Sequence, residues 1–176
     1  MARPEEGRIR TFPAPWTSAL KTRGRGRRRV FLVEEFEPRH LDDVGLIGSE
    51  VLREAYAPEF FLGMHQLAPE LFLVARPYYS ARPIGFLIGS QSSSLEARLL
   101  LLAVRPELQS RGVGHRLMDE FLRRLRRTGA QEVSLEVRQG NMSAIRFYRQ
   151  FGFELAGTVP GFYADGESAF VMRRPL

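Results

Sequence analysis

The stretch Leu99–Leu125, LLLLAVRPELQSRGVGHRLMDEFLRRL, decides the reading of this chain. Leu99 to Val104 are six consecutive apolar residues, the length of a buried strand. Arg105-Pro106 stops that strand, because proline has no N–H to give to a ladder. From Val113 the apolar residues fall at Val113, Leu117, Phe121 and Leu125, which places them on one helix face. Between strand and helix lies Gln109-Ser110-Arg111-Gly112-Val113-Gly114. Glycines let the backbone come close to a ligand, and the free N–H groups of a helix start favour an anion, most often a phosphate. The stretch therefore predicts an anion-holding loop between a strand and a helix.

Two familiar phosphate loops do not fit it. A P-loop requires Gly-Lys-Ser/Thr, and His115-Arg116 stands there instead. A dinucleotide fingerprint requires a third glycine where Leu117 stands, and it turns directly from strand into helix, although Glu132 has a suitable spacing for its acidic residue.

Working outward, 176 residues suit one domain with its own core. There is no cysteine, so disulfides and thiolate metal sites are excluded, and a reducing, cytoplasmic setting is expected. His40, His65 and His115 lie far apart, so no metal is expected. No apolar run approaches the roughly 18 residues of a membrane span, and the N-terminus lacks a signal-peptide core, so no membrane partner is expected. The net charge of +6 is uneven: residues 1–29 hold nine basic and two acidic residues, the rest 17 basic and 18 acidic. Residues 1–28 mix Pro, Gly and Arg without apolar period and are expected to be a disordered basic leader. A ribosome contact through that leader is one reading, a solvated extension the other, whereas the near-neutral remainder (29–176) speaks against RNA binding by the domain itself.

Elements follow from pattern. Val30–Phe36 reads as a strand, and Pro38 opens a helix to about Arg53. A short helix covers Pro58 to about Gln66. Leu71–Arg76 and Ile84–Gly89 are strands, and Ser90–Ser94 a loop. Glu132–Arg138 alternates, with Val133, Leu135 and Val137 on one side and Glu136 on the other. Asn141 is a good N-cap for a helix through Phe151, ended by Gly152. Phe153–Val159 and Ser168–Arg173 close the chain as antiparallel strands. The expected class is α/β (α+β), a mixed, mostly antiparallel central sheet flanked by about four helices.

With these residues in place, a family resemblance can be stated. Ala103-Val104-Arg105-Pro106 followed by Gln109-x-x-Gly-x-Gly114 resembles the acetyl-CoA motif of the GNAT N-acetyltransferases. Leu135-Glu-Val-Arg138, Asn141, Ala144-Ile-Arg-Phe-Tyr148 and Phe151-Gly-Phe153 look like the second half of that domain. The ending Gly161-Phe-Tyr-Ala-Asp-Gly-Glu-Ser-Ala169 and the segment Leu52–Phe61 are similar to catalytic subunits of protein N-terminal acetyltransferases. The likeness is to the archaeal members and to the bacterial enzymes that acetylate a ribosomal protein. It covers residues 30–176.

The resemblance implies a GNAT fold, acetyl-CoA as co-substrate, and protein or peptide N-termini as acceptors. It implies cofactor contacts at Leu102, Ala103, Val104, Gln109, Ser110, Arg111, Gly112, Val113, Gly114, His115, Asn141 and Tyr148, with the backbone of Leu102 and Val104 pairing with the pantetheine amides. It implies Glu54 and Glu136 as candidate bases, Tyr148 as donor to the leaving thiolate, and Glu54, Tyr56, Glu136 and Tyr163 around the peptide. Two positions depart from the pattern. Arg98 stands where some relatives carry histidine, and arginine cannot shed its proton to join a relay. Phe162 replaces the first tyrosine of a Tyr-Tyr pair, so one hydroxyl is missing.

The chemistry agrees with such an acceptor. An α-amine has a pKa near 7.7–8.0 against about 10.4 for lysine, so near pH 7.5 roughly a third of α-amines are already neutral. A modest carboxylate base acting through water is enough for it. Acetylation of lysine or of a small amine is the first alternative, and a non-catalytic RNA-binding module led by the arginine arm the second.

Overall fold

In the computed structural model the described residues are 31–52, 54 and 56–176; the leader, Arg29, Val30, Arg53 and Ala55 lie outside them. Seven strands form one sheet in the order β1-β2-β3-β4-β5-β7-β6. They are β1 (Phe31–Glu35), β2 (Phe72–Pro77), β3 (Gly85–Gln91), β4 (Glu96–Val104), β5 (Glu132–Arg138), β6 (Glu154–Val159) and β7 (Ala169–Pro175). The helices are α1 (Leu41–Val51), α2 (Pro58–Leu67), α3 (Val113–Thr128) and α4 (Met142–Gln150). The order of elements and the mostly antiparallel sheet match the sequence expectation; β4–β5 is the parallel pair.

Some boundaries differ. The helix expected from Pro38 begins as a single 3₁₀ turn over Pro38–His40, and α1 stops at Val51, where Leu52 is extended. The polar loop expected from Ser90 starts later, because Ser90 and Gln91 still pair with Arg98 and Ala97. Strand β4 therefore begins at Glu96 rather than Leu99; of the three added residues Ala97 joins the core, while Glu96 and Arg98 stay exposed.

Period-two alternation divides the core between the two faces of the sheet. Leu73 and Ala75 of β2 and Leu87 of β3 face α3 and α4, together with Leu117, Phe121, Leu125, Ile145 and Tyr148. Phe72 and Val74 of β2 and Phe86 and Ile88 of β3 face α1 and α2, with Val44, Ile47 and Phe61. Helices on both faces explain why β2 and β3 read as unbroken apolar runs. Helix α3 sits so close that a Cβ at Gly89 would stand 2.3 Å from the Phe121 ring.

Strand β4 carries the feature that shapes the site. Ile88 pairs with Leu101 and Gly89 with Leu99, so Leu100 is an extra residue, a β-bulge. Before the bulge Ala97 and Leu99 face α3; after it Leu102 and Val104 do. Pairing of β4 with β5 ends nearby, at Leu99–Leu135, although both strands continue. A gap between two central strands results.

Candidate active site

On the β4 side of the gap, strand geometry fixes which backbone groups are offered. The Arg105 N–H donates to the Ile84 carbonyl at 3.0 Å, toward β3. Alternation along the strand then turns the N–H groups of Leu102 and Val104 the other way, into the gap. The Val104 carbonyl on that side accepts from Gln109 Nε2 at 3.1 Å. The Gln109 side chain thus ties the loop to the strand instead of reaching toward an anion.

The loop backbone suits that task. Ser110 (φ 60°) and Gly112 (φ 87°) both take left-handed conformations, and Gly112 leads into α3 without a side-chain cap. Successive N–H groups at such a turn make a concave anion cradle, reinforced by the helix dipole. A side chain at Gly112 would be strained by φ alone. Gly114 has another reason: its missing Cβ would lie in ordinary contact with Phe147 and Val104, where α3 and α4 meet. The His115 ring turns into the same seam, 3.0 Å from Gln150 Oε1 and edge-on to Phe147, which leaves its backbone for the loop.

On the α4 side, Asn141 caps the helix as the sequence predicts: Oδ1 accepts from the Ala144 N–H at 3.1 Å and from Ser143 Oγ at 3.0 Å. Seven residues on, Tyr148 is 8% exposed and packs on Phe147 and Phe153. Burial pushes its phenol pKa up, with a further upward push from Tyr163, so it holds its proton at any working pH.

On the α1–α2 side, Tyr56 Oη donates to Glu54 Oε2 at 3.2 Å. Burial, then the neighbouring Glu54 charge, pushes the Tyr56 phenol up to about 12. Its ring packs on Phe60 at 4.9 Å. Tyr163, in the β6–β7 connection, is held in a tight turn by Gly166 N–H to its carbonyl at 2.8 Å. Its phenol is raised chiefly by burial and lowered by Arg138, with Glu54 and Glu136 among the charges it feels. Phe162 lies edge-on to it, 42% exposed.

The two candidate carboxylates have different partners. Glu136 Oε2 is 2.6 Å from Arg98 Nη2, so it pairs with β4 and not with Arg138 of its own strand. Arg138 instead collects the surrounding loops. Its guanidinium lies 3.8 Å over the Tyr163 ring, 2.7 Å from Asp165, 2.9 Å from Glu167 and 3.5 Å from Glu54. In the sequence Arg138 stands out only as the last residue of the alternating strand. Its position on the polar side of β5 and the acids of the ending Ala164-Asp-Gly-Glu167 were the signals available. Among the described residues there is no metal-holding cluster of His, Asp and Glu, and no helix is long and apolar enough to cross a membrane.

With this geometry, the chain can be compared with known proteins. The acetyltransferase (GNAT) family profile matches residues 30–153. An Ard1 structure from Thermoplasma volcanium is 37% identical and superposes with a TM-score of 0.80 over 84% of this chain and 98% of that one. The N-alpha-acetyltransferase daf-31 of Caenorhabditis elegans is 30% identical over 132 residues, 71% of each chain. The ribosomal-protein-S18-alanine N-acetyltransferase of Escherichia coli is 25% identical, with a TM-score of 0.72 over 82% of this chain and 93% of that one. The seven-stranded sheet opened between β4 and β5 is the GNAT fold, whose members use acetyl-CoA. The chain belongs to the GNAT acetyltransferase family and is an acetyl-CoA-dependent N-acetyltransferase.

Proposed function

We infer that this enzyme acetylates the N-terminal α-amine of proteins or peptides by direct attack within a ternary complex. The observation that carries the reading is the gap beyond Leu99–Leu135, with Tyr56 and its partner Glu54 on the α1–α2 side, Tyr148 on the α3–α4 side, and Tyr163 joined to Glu54 through Arg138. The relatives named N-alpha-acetyltransferase and the Ard1 likeness support the same acceptor.

Bound acetyl-CoA supplies the thioester carbon that the amine attacks and the thiolate that leaves. The N–H groups of Leu102 and Val104 bind the pantetheine amides in the manner of an added strand, and one of them steadies the thioester oxygen. The backbone of residues 110–115 holds the pyrophosphate, and Asn141 fixes the helix that carries Tyr148. Glu54 and Glu136 take the amine proton, directly or through water. Tyr148 donates its phenol hydrogen to the departing sulfur; burial keeps the phenol protonated, so it serves as a hydrogen-bond donor to the developing thiolate before the proton passes over. Tyr56 and Tyr163 hold the first residues of the peptide.

The test is acetylation by the full chain of peptides with a free α-amine, against the same lysine-containing peptides blocked at the α-amine, read by mass. Transfer confined to free α-amines is expected. Equal rates on blocked peptides would establish the lysine alternative instead.

A further inference from the structure

The near-neutral charge of residues 29–176 conceals a strong polarity. Helices α1 and α2 carry four acidic residues (Asp42, Asp43, Glu50, Glu59) and no Arg or Lys. Helices α3 and α4, on the opposite face of the sheet, carry seven arginines against Asp119 and Glu120. Glu120 is already engaged by Arg123 and Arg124, whose hydrogen bonds hold its carboxyl down at about 2. Among the described residues, no carboxylate lies within ion-pair distance of Arg116, Arg126, Arg127, Arg146, Arg149 or Arg174.

Two of these arginines converge on a groove of about 480 Å³ between α3, the end of α4 and β7. Its walls are Arg126, Arg174, Gln150, Asp119, Leu122 and Phe151, with Gly152 at the turn. Arg174 is half-buried, its Nε close to Gly152, and its charge is disfavoured by burial and by Arg126. Two like charges facing one groove gain from an anion between them. The groove is not the cofactor loop: Arg126 lies thirteen residues along α3 from Val113, about 20 Å at 1.5 Å per residue.

We propose that the α3–α4–β7 face binds the phosphate backbone of RNA, with a phosphate seated between Arg126 and Arg174. The planar guanidinium fork matches phosphate oxygens, and the face is furnished with arginine throughout. Phe151, partly buried in the groove wall, offers a ring on which a base can stack. A protein partner would want an exposed apolar centre, and of the exposed large apolar residues only Met142, at the start of α4 and outside the groove lining, belongs to α3, α4 or β7. The sheet keeps this face away from the acidic α1–α2 side, where repulsion would oppose a polyanion.

The test is binding of a labelled single-stranded RNA of about 20 nucleotides to the full chain at about 50 and 200 mM salt. Arg126→Glu/Arg174→Glu is expected to weaken binding at least tenfold. Loss of two phosphate contacts lowers the salt slope by about 1.4. Acetyl transfer to a free peptide stays at the wild-type rate. Arg127→Glu/Arg149→Glu, two exposed sites, is expected to weaken RNA binding in the same direction and decides the matter if the first variant does not fold. Wild-type affinity and slope in the folded variants, or no RNA binding by the full chain, would overturn the proposal. So would an equal loss of affinity for polyglutamate, which would assign the face to acidic proteins.

Discussion

Arg98 Nη2 lies 2.6 Å from Glu136 Oε2, bridging β4 and β5 where the two strands part. Arg98 cannot act as a base, but it fixes Glu136 at the edge of the gap. Glu54, two residues from Tyr56, stands on another element. Two carboxylates on separate supports predict partial redundancy. Glu54→Gln and Glu136→Gln should each lower kcat by about tenfold, and the double variant by more than the roughly 100-fold that independent groups would give. Steady-state kinetics on one peptide checks this; full rate in the double variant would remove both from the mechanism. Arg98→Ala should cost less than about 1 kcal/mol of stability, because the guanidinium is substantially exposed.

Tyr148→Phe keeps the ring packed on Phe147 and Phe153 and removes the proton. We expect kcat to fall about 100-fold with acetyl-CoA affinity nearly unchanged. Calorimetric titration of acetyl-CoA beside turnover separates the two. A parallel loss of affinity would make Tyr148 a binding group only.

Arg138 joins the α1–α2 loop to the β6–β7 connection through Glu54, Tyr163, Asp165 and Glu167. Arg138→Met should free both segments. The expected signature is a rise in peptide KM of about tenfold, with a smaller change in kcat. Arg138→Lys cannot reproduce the stacked fork and should recover little. Unchanged peptide KM would reduce Arg138 to a surface role.

Gly89→Ala places a methyl where the Phe121 ring already stands. Backbone on one side and a fully buried ring on the other leave no easy retreat. A loss of about 3 kcal/mol is expected from overpacking. Chemical denaturation measures it, and a change under about 1 kcal/mol would mean that α3 can slide on the sheet.

His40 is 1% exposed and accepts the Glu37 N–H on Nδ1 at 3.0 Å. Burial, then Arg39, lowers its pKa from 6.5, although Glu34 and Glu37 pull the other way. The unfolded chain therefore binds a proton there before the folded one does. Stability is full above pH 6.5 and falls as pH drops through that value toward the folded pKa, by at most about 1.4 kcal/mol per pH unit. The groups behind this are distinct from the carboxylates Asp165 and Glu167, whose lowered pKa values act below about pH 4.5. His40→Gln should flatten the stability profile between pH 6.5 and 5. A slope that survives the substitution would assign it elsewhere.

Much of this was legible in the chain because it is local. The N-cap at Asn141 needs only a side-chain oxygen three residues before an N–H, and the loop at Gly112 only a glycine where φ is positive. The order of strands and helices follows from apolar periods of two and near four, which report burial without naming the neighbour. The motifs around Gln109, Tyr148 and the Tyr163 ending carried the family by likeness. The composition of a leucine run, however, has no period: Leu99–Leu102 cannot show that Leu100 is the bulge, or that β4 leaves β5 there. Neither can it show that Glu136 pairs with Arg98 while Arg138 gathers three acids from two loops, since those partners stand 27 to 84 residues away. Net charge behaves in the same way. Counting residues gives a nearly neutral domain, and only the sheet, by placing α1 and α2 on one face and α3 and α4 on the other, turns that sum into an acidic side and a basic one.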